Sequence, residues 1–527
     1  MGNRDLQTAW EYHNGTKHSY ASVRAMPHVL PWDIQPRPYK VYTTLPPMPL
    51  PTPPPPSGVP ALAAVSSWQE HGSTAKSPDL PTLASILHLS AGITKKVTYP
   101  SGEMYFRAAA CTGALYHIEL YVVCGDLPDM EAGVYHFSVP DASLRRLRTG
   151  DYRSILVEAS GGQPAAARAP AMLLATDTFW RNSWKYQARA YRHTYWDTGT
   201  ILANLLAMAT AYGLPAQVAV GFVDSVVNRL LGVDGQREAA VCVVPLGSGP
   251  APSPATPPEL PPLRLETAPI SKTEVDYPAI RAMHAASALT DAEEATAWRA
   301  PPPTVPLPDP SGRLFLLEPL GDDEAPSATI EQAILRRGSS RRFAREPISF
   351  RQLSTVLHRA TQGIPADFLE PTGALLNHLY LVVNAVDGLP SGAYVFHRDQ
   401  GALELLRAGD FRREAGYIAL EQPLAADASA DVFLLTDLNP LLQRFGNRGY
   451  RAAQLEGGIL GGKLYLAAYA LGLGATGLTF YDDEVTAFFS PHAQGKSAMF
   501  LVALGRPARR RALSQPESRP EARAPKF

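Results

Sequence analysis

The second half of this 527-residue chain repeats the sequence pattern of the first half. The stretch GVYHFSVPDASLRRLRTGDYR begins at Gly133, and its counterpart GAYVFHRDQGALELLRAGDFR begins at Gly392, 259 positions later. Similar segments flank this pair in the same order, and Tyr191-Arg192 matches Tyr450-Arg451 at the same spacing. Matches that keep their order and spacing over such a length indicate an internal duplication. We therefore expect two units of the same fold.

Each half mixes short strands with long helices. Apolar runs rich in β-branched residues, such as MLLATD in the first half and VFLLTD in the second, predict strands. Segments 197–212 and 456–471 are apolar or small on every side, and a glycine follows each, so they predict buried central helices. Neighbouring strands resemble hairpins and do not alternate regularly with helices. This pattern predicts an α+β fold rather than a doubly wound parallel sheet.

The composition excludes several classes of protein. Lys and Arg total 48 and Asp and Glu total 49, so the net charge of −1 gives no basic surface for nucleic acid or an anionic membrane. Three scattered cysteines predict neither a disulfide framework nor a four-ligand zinc site, and we expect no metal. No apolar run is long enough to span a bilayer, and the first residues lack a secretion signal. These features predict a soluble, cytoplasmic protein.

The 50 prolines of the chain are clustered. The blocks Pro46–Pro60, Pro245–Pro269 and Pro301–Pro310 favour extended backbone, so we interpret them as surface loops or linkers. The second and third blocks separate the two halves. The predicted division of the chain is a first domain at 1–250 with a proline-rich insertion near 27–80, a linker with a helical segment at 251–325, a second domain at 326–510 and a flexible tail at 511–527.

A cluster of arginines and serines follows a predicted helix in the second half. Its sequence, RRGSSRR at 336–342, combines guanidinium groups with hydroxyls beside a helix end, which suits a phosphate group. A solvated, charged helix end is the alternative interpretation. A second basic group, Arg506 with Arg509–Arg511, follows the last predicted strand of the same half. The two basic groups are expected to converge on one anion.

The first half has no equally basic segment. We pair His13 with Arg337, which lie 324 positions apart, whereas the predicted helices that start near Leu83 and Leu353 lie 270 positions apart. The difference of 54 residues is the basis of the predicted insertion in the first half. On this pairing, the anion site of the first half is weaker than that of the second.

Two further motifs are candidates for chemistry. Lys185 and Tyr186 are expected in a polar loop ahead of the first central helix, where a partly desolvated lysine could transfer protons; an isolated pair of this kind is usually structural. The segment GLGATG at 472–477 matches the dinucleotide fingerprint, but it follows a helix and precedes the strand-like LTFY. That order is the reverse of what a Rossmann site needs. It predicts a tight helix-to-strand turn whose backbone could contact another flat ligand.

Together these segments resemble the nitroreductase family of flavoproteins and, within it, the SagB-type dehydrogenases that oxidise azolines to azoles in thiazole/oxazole-modified peptides. The resemblance covers about 1–250 and 325–507. It rests on RRGSSRRF, AQLEGGILGGKLYLAAYALGLGATGLTF and FRAAACTGALYHIELYVV. This family has an α+β fold and builds its FMN sites at a dimer interface. The resemblance therefore implies a nitroreductase-like fold duplicated in one chain as a fused pseudo-dimer.

The resemblance also implies where FMN binds. The first half lacks the arginine cluster, and the second half lacks counterparts of Arg107 and of the Lys185-Tyr186 pair. One composite FMN site is therefore implied, and a second FMN held by the first half is the alternative. Lys185 or Tyr186 is the implied catalytic base. The implied cofactor-binding residues are Arg336, Arg337, Ser339, Ser340, Arg342, Arg107, Thr112, Gly113, Ala475, Thr476, Gly477, Arg506 and Arg509.

The activity implied by the resemblance is FMN-dependent oxidation of azolines to thiazoles or oxazoles in a ribosomally made peptide. The implied partners are the modified peptide and a cyclodehydratase complex, and further homo-oligomerisation is left open. One alternative is a general FMN oxidoreductase that uses NAD(P)H to reduce small substrates. A second alternative is a non-catalytic scaffold that binds leader peptide or a cyclodehydratase.

Overall fold

The computed structural model describes residues 2–25, 27–51, 56–70, 75–99, 102–249, 256–299, 301–303, 305–371 and 373–508. The strands of the first half are β1 (Pro47–Pro49), β2 (Ile93–Tyr99), β3 (Gly102–Arg107), β4 (Ile118–Cys124), β5 (Gly133–Ser138), β6 (Ser143–Thr149), β7 (Ala171–Thr178) and β8 (Glu238–Leu246). Its helices are α1 (Gln7–Gly15), α2 (Tyr20–Ala25), α3 (Ala61–Ser66), α4 (Leu80–Ala91), α5 (Arg153–Ala159), α6 (Pro164–Arg168), α7 (Phe179–Tyr186), α8 (Ala190–Ala211) and α9 (Asp224–Leu231).

The helices α10 (Pro278–Ala286) and α11 (Ala292–Trp298) lie in the connection between the halves. The strands that follow are β9 (Arg313–Leu316), β10 (Ile348–Ser349), β11 (Asn377–Val383), β12 (Val386–Asp387), β13 (Gly392–His397), β14 (Ala402–Ala408), β15 (Ala430–Thr436), β16 (Gly474–Gly477) and β17 (Ser497–Gly505). The remaining helices are α12 (Ile330–Arg336), α13 (Phe350–Ala360), α14 (Arg412–Ile418), α15 (Pro423–Asp427), α16 (Leu438–Phe445), α17 (Arg448–Ala470) and α18 (Asp482–Phe489).

Each half is built on one antiparallel sheet; read from opposite edges, the two sheets share the order of six strands, and the second sheet adds β16 as a seventh. The first runs β1-β6-β5-β4-β7-β8, and the second runs β16-β17-β15-β11-β13-β14-β9. Ile118 pairs with Asp177 in the first sheet, and Asn377 pairs with Thr436 in the second, so the pairing repeats at the spacing of 259. The prediction of an α+β fold duplicated in one chain is therefore confirmed.

The helices α8 and α17 are buried along almost their whole length and pack against each other. They cross at two glycines 259 positions apart. A Cβ on Gly199 would lie 2.5 Å from the Cα of Gly458, and a Cβ on Gly458 would lie 2.6 Å from the Trp196 carbonyl oxygen. Only glycine permits so close a backbone approach. Both central helices were predicted, but each begins about two turns earlier than the sequence indicates, at Ala190 and Arg448.

Two buried ion clusters join the halves in a reciprocal arrangement. In one, Arg192 donates to Asp482 at 2.6 Å and Arg189 donates to the same carboxylate at 2.9 Å. In the other, Arg448 and Arg451 each donate to Asp224 at 2.7 Å. Each pair of arginines begins the central helix of one half, and the carboxylate comes from the other half. The two halves therefore share one interface, as expected of a fused pseudo-dimer.

Helices α3 and α12 are a second equivalent pair, since each contacts the other and both central helices. The Ile330 N–H donates to the Val59 carbonyl oxygen at 3.0 Å, and the Ala61 N–H donates to the Ala328 carbonyl oxygen at 2.9 Å. This reciprocal bonding places the start of α3 opposite the start of α12, 269 positions later. The spacing agrees within one residue with that of α4 and α13.

The register of α3 corrects the predicted pairing of His13 with Arg337. The counterpart of Arg337 is Trp68, 269 positions earlier, and His13 lies elsewhere, 3.3 Å from the Tyr450 hydroxyl. Nearly the same spacing, 271, relates α1 to α10, because His284 lies 3.2 Å from the Tyr191 hydroxyl as His13 lies 3.3 Å from that of Tyr450. The proline-rich block Pro46–Pro60 therefore lies within the repeated part and is no 54-residue insertion in it. Part of this block forms β1, an edge strand, which is where a sheet tolerates proline. Among the described residues, no helix has both the length and the hydropathy to cross a membrane.

Candidate active site

A loop of the first half and the arginine segment of the second half meet across the interface. The Arg337 Nε donates to the Ala108 carbonyl oxygen at 2.7 Å, and its Nη2 donates to the Arg107 carbonyl oxygen at 2.9 Å. Burial lowers the pKa of Arg337, and the polar groups facing it are tyrosines and Cys111. The Arg337 guanidinium thus reaches from the second half into the first. This position agrees with the prediction that both halves contribute to one site.

Tyr186 stands beside the same loop. Lys185 and Tyr186 are the last two residues of α7, so the predicted polar loop is wrong. A Cβ on Gly113 would lie 2.8 Å from the Tyr186 hydroxyl, and Gly113 has a φ of 66°. Glycine is required here both by the backbone conformation and by the closeness of the phenol. The structure therefore places the Tyr186 hydroxyl directly against the backbone of the loop.

The surroundings of Tyr186 favour its protonated form. Burial raises its pKa, as do the Asp197 carboxylate and Cys111, and the guanidinium of Arg341 opposes the shift. Arg341 belongs to the second half, so a cation from that half lies near the phenol. The Lys185 Nζ lies 5.4 Å from the centre of the Tyr186 ring. These surroundings thus favour the neutral phenol of Tyr186 over the phenolate.

Hydroxyl and backbone groups of the second half line the other side of this site. The Ser339 hydroxyl lies 3.2 Å from the Tyr465 hydroxyl, and the Ser340 N–H donates to the Ala475 carbonyl oxygen at 2.9 Å. The Ser340 Oγ is buried, has no partner among the described residues, and would lie 2.3 Å from a Cβ on Gly474. The strand β16 consists of Gly474–Gly477, so the predicted strand LTFY is wrong and the glycine motif itself forms the edge strand.

The two basic segments of the second half run side by side. The Ala508 N–H donates to the Arg342 carbonyl oxygen at 3.1 Å, and the Ala344 N–H donates to the Arg506 carbonyl oxygen at 2.9 Å. The side chains of Arg336 and Arg506 are exposed and donate to backbone carbonyl oxygens, at 3.2 Å and 2.8 Å. These two guanidinium groups therefore lie at the edge of the site, while Arg337 lies inside it. Arg509 lies outside the described residues.

A buried carboxylate that the sequence analysis missed fixes the loop of the first half. The Thr112 N–H donates to the Asp197 Oδ2 at 2.8 Å, and the Thr112 hydroxyl donates to Oδ1 at 2.9 Å. His117 links Asp197 to Asp177 through ring-nitrogen contacts of 2.8 Å and 2.7 Å. The nearby Ala114 has a φ of 54°, a conformation that costs energy for any residue with a side chain. Asp197 therefore holds a strained loop against Tyr186.

The duplication contains a signal that would have found this carboxylate. Glu456 occupies the position of Asp197 in the other central helix, 259 residues later. It accepts hydrogen bonds of 2.8 Å from the N–H groups of Leu376 and Asn377, and burial raises its pKa to about 7. An acidic residue at the same position of two buried helices predicts a shared task. In both halves that task is to hold the segment that leads into the central strand of the sheet.

Comparison with known proteins agrees with this arrangement. The nitroreductase family model matches residues 75–248. A putative nitroreductase from Anabaena variabilis, solved by crystallography, superposes with a TM-score of 0.74 at 25% identity and covers 95% of this chain and 99% of its own. Residues 75–248 are a nitroreductase-family domain. The duplicated fold of the whole chain is that of the Anabaena protein.

Three curated relatives match parts of the nitroreductase-like chain. The putative nitroreductase MJ1384 of Methanocaldococcus jannaschii is 27% identical over 168 residues, which are 32% of this chain and 80% of the relative. The trifolitoxin-processing protein TfxB of Rhizobium leguminosarum bv. trifolii is 30% identical over 34% of this chain, and the microcin B17-processing protein McbC of Escherichia coli is 29% identical over 28% of it. The match spans about half the length of each processing protein. The predicted relationship to the nitroreductase family and its processing members is confirmed.

Nitroreductase-family proteins typically bind FMN, and the residues of the composite site suit that group. Arg345 is paired with Asp427, whereas among the described residues no carboxylate pairs with Arg336, Arg337, Arg341, Arg342 or Arg506. Cations without a protein counter-ion, next to the unpartnered Ser340 hydroxyl, are what a phosphate group requires. The donor set therefore fits the phosphate of FMN.

The equivalent place in the first half has a different character. Trp68 replaces Arg337 and packs on Gly363, where a Cβ would lie 3.1 Å from the indole ring. Lys463 donates to the Gly363 carbonyl oxygen at 2.7 Å, and burial lowers its pKa to about 7. No arginine occurs between residues 61 and 70. The place equivalent to the arginine cluster thus offers an indole from the first half and a buried lysine from the second half in place of guanidinium groups.

Proposed function

We propose that this protein is an FMN-dependent dehydrogenase that oxidises azolines to azoles in a peptide natural product. The observation that carries the proposal is the meeting of two incomplete halves at one cleft. The second half brings arginines without counter-ions, and the first half brings Tyr186 and a strained loop held by Asp197. Neither half has both sets of groups: the first half lacks the cations, and the second half lacks the groups that would transfer protons.

The composite site would hold one FMN. Arg337, Ser340 and the exposed Arg341 and Arg342 would bind its phosphate, and the edge strand β16 with the 112–113 loop would enclose its ring. Bound FMN supplies a two-electron acceptor that takes the equivalent of hydride from the substrate. Trp68 and the absence of arginine in the equivalent segment support one FMN for each chain rather than two.

A side chain of the protein would accept the hydrogen that leaves the substrate as a proton. Conversion of an azoline to an azole removes two electrons and two protons, so a group of the protein must take the proton that does not leave as hydride. Lys185 and Tyr186 are the proposed pair. Since its surroundings favour the protonated form of Tyr186, we assign it to orient the substrate by a hydrogen bond, and we assign Lys185, as the neutral amine in the reacting complex, to receive the proton and become the ammonium. The positive φ at Gly113 lets the phenol reach the site.

The substrate class and partner rest on similarity. Two relatives are named for processing trifolitoxin and microcin B17, and this chain matches about half the length of each. We therefore propose a modified peptide as substrate and a cyclodehydratase, which would make the azoline, as partner. We further propose that the reaction takes place in the cytoplasm.

The first test measures bound flavin. The purified full-length chain should show a flavin absorption band with about one FMN per chain, and Arg337→Ala should lose most of it. Arg345→Ala is the matched control, because this arginine lies in the same segment but is already paired with Asp427. A ratio near two would contradict the single composite site. The absence of flavin from the wild-type protein would contradict the enzymatic function.

The second test measures turnover. A peptide containing a thiazoline is incubated with the flavin-loaded protein, and mass spectrometry follows the loss of two hydrogen atoms. Lys185→Ala should lower kcat by about 10²–10⁴-fold with flavin content unchanged. Tyr186→Phe should mainly raise KM. Oxidation that is unaffected by both substitutions would refute the assignment. Reduction of a nitroaromatic or quinone by NAD(P)H, without peptide oxidation, would favour the general oxidoreductase instead.

A further inference from the structure

Three potential metal ligands lie together on the sheet of the second half, away from the composite site. His397 ends β13, Glu404 lies in the adjacent β14, and His492 belongs to the segment between α18 and β17. One donor atom from each lies within 4.8 Å of the other two, and the His397 Nε2 is 2.7 Å from the Glu404 Oε2. Because His492 lies 88 residues after Glu404, spacing alone did not indicate a site.

Neighbouring groups hold two of the three side chains in position. The second carboxylate oxygen of Glu404 accepts the N–H groups of Ser311 and Gly312 at 2.8 Å and 2.7 Å. The Tyr380 hydroxyl lies 3.0 Å from the His492 Nδ1 and 3.4 Å from the His492 carbonyl oxygen. If the hydroxyl donates to that oxygen, Nδ1 carries the proton and Nε2 carries the lone pair. This is the tautomer of a histidine that binds metal through Nε2.

The remaining nitrogen of His492 has no hydrogen-bond partner. Its Nε2 is buried, and among the described residues nothing bonds to it. A buried acceptor without a partner is costly, so it indicates a group that binds there. The His492 ring as a whole is partly exposed, which leaves a route for a small ion to enter.

We propose that His397, Glu404 and His492 bind a divalent transition-metal ion of the zinc type. Two imidazole nitrogens and one carboxylate oxygen are ligands that Zn²⁺ accepts at about 2.0–2.2 Å in a tetrahedral site, and water takes the fourth position. The bonds from Glu404 to the backbone of Ser311 and Gly312, and from His492 to Tyr380, form the outer shell that orients such ligands.

The other cluster of this kind is already satisfied. Cys111, His117 and Asp197 also have donor atoms within 4.8 Å, but Asp197 bonds to Thr112, and His117 is held between two carboxylates. None of their side-chain atoms is among the buried groups that lack a partner. A metal there would have to break bonds that fix the loop beside Tyr186.

The metal would join three separate stretches of chain. His492 precedes β17, Glu404 and His397 come from two strands, and the Ser311–Gly312 backbone belongs to the connection between the halves. Binding to the folded protein alone would stabilise this end of the second sheet. The proposal concerns stability and does not depend on the proposed redox function.

The test is metal content of the full-length protein. Protein made in zinc-supplemented medium and dialysed should contain about one zinc per chain by mass spectrometry of metals. His492→Ala and Glu404→Gln should reduce it to background and lower the melting temperature measured with zinc. His358→Ala is the control, because this histidine is partly exposed on α13 and bonds to Gln362. Cys111→Ala should have no effect on zinc content.

Cobalt gives a second measurement. Titration of the metal-free wild-type chain with Co²⁺ should produce visible absorption bands. His492→Ala should abolish these bands. Because His492 lies between α18 and β17, the circular dichroism spectrum of this variant should match that of the wild-type protein. Wild-type protein that binds neither metal would overturn the proposal. So would zinc that remains in both His492→Ala and Glu404→Gln, or zinc that only Cys111→Ala removes.

Discussion

Gly458→Ala tests the crossing of the two central helices. In an ordinary helix this change is favourable, because alanine exceeds glycine in helix propensity by about 1 kcal/mol. At this position the new Cβ would lie 2.6 Å from the Trp196 carbonyl oxygen and 2.8 Å from the Trp196 Cα. Both are backbone atoms of the partner helix, so no side chain can rotate away. The helices must separate if the methyl group is to fit.

The size of the effect follows from these distances. To reach ordinary contact, α8 and α17 must move apart by about 0.8 Å at the crossing. Overpacking of this kind costs about 1–3 kcal/mol, and the lost contacts along both buried helices place the cost at the upper end. After the gain of about 1 kcal/mol in propensity, Gly458→Ala should lower the free energy of unfolding by about 1–2 kcal/mol.

A neighbouring glycine provides the control. A Cβ on Gly457 would lie 3.5 Å from the Cβ atoms of Met499 and Phe500 and 3.9 Å from the Asn377 Nδ2, which are ordinary contacts with side chains. Gly457→Ala should therefore be neutral or stabilising by up to about 1 kcal/mol. Differential scanning calorimetry compares both variants with the wild-type protein. A Gly458→Ala variant as stable as Gly457→Ala would refute the close crossing and, with it, the interface that the two halves share.

Two further predictions concern the ion clusters. Asp224→Asn leaves Arg448 and Arg451 buried without their carboxylate and should cost about 3–5 kcal/mol in denaturant unfolding. Glu324→Gln, which breaks the exposed pair of Glu324 with Arg351, should leave the stability almost unchanged. The two arginines lower the pKa of Asp224 from its usual 3.8 to about 2. This shift stabilises the folded protein by about 2 kcal/mol at neutral pH, and the stabilisation is lost as the pH falls from about 4 to about 2. Thermal melting across this range checks it, and Asp224→Asn should show a smaller decrease.

Much of the fold could be predicted because it depends on local patterns. Strand runs and the apolar central helices repeat in both halves, and repetition allowed weak matches to be recognised together. The helix starts could not be placed, because the first turns of α8 and α17 carry Arg192 and Arg451, which look like surface residues. They are buried only because carboxylates from the opposite half neutralise them. That neutralisation depends on tertiary structure and leaves no local pattern.

The composite site was harder to predict than the fold. Its arginines and the Lys185-Tyr186 pair were identified by their chemistry, but the register of the first half was wrong. ALAAVSSWQE, which contains α3, shares almost no residues with the stretch around α12, and only the reciprocal backbone bonds at Val59 and Ala328 reveal the equivalence. Asp197 was missed because a single carboxylate in an apolar helix has no motif. Its role is defined by a loop that lies 85 residues earlier.

Fusion of the halves explains why some positions match and others differ. In a symmetric dimer every residue serves both interfaces and both sites, so a tryptophan in place of Arg337 would remove both phosphate sites at once. In one chain the two copies can differ. The elements that join the halves remain equivalent, such as Gly199 with Gly458 and Asp224 with Asp482. The cleft-forming residues do not, as Trp68 and Arg337 show. Because the shared interface depends on both halves, its residues stay equivalent, whereas a cleft can change in one half without changing in the other.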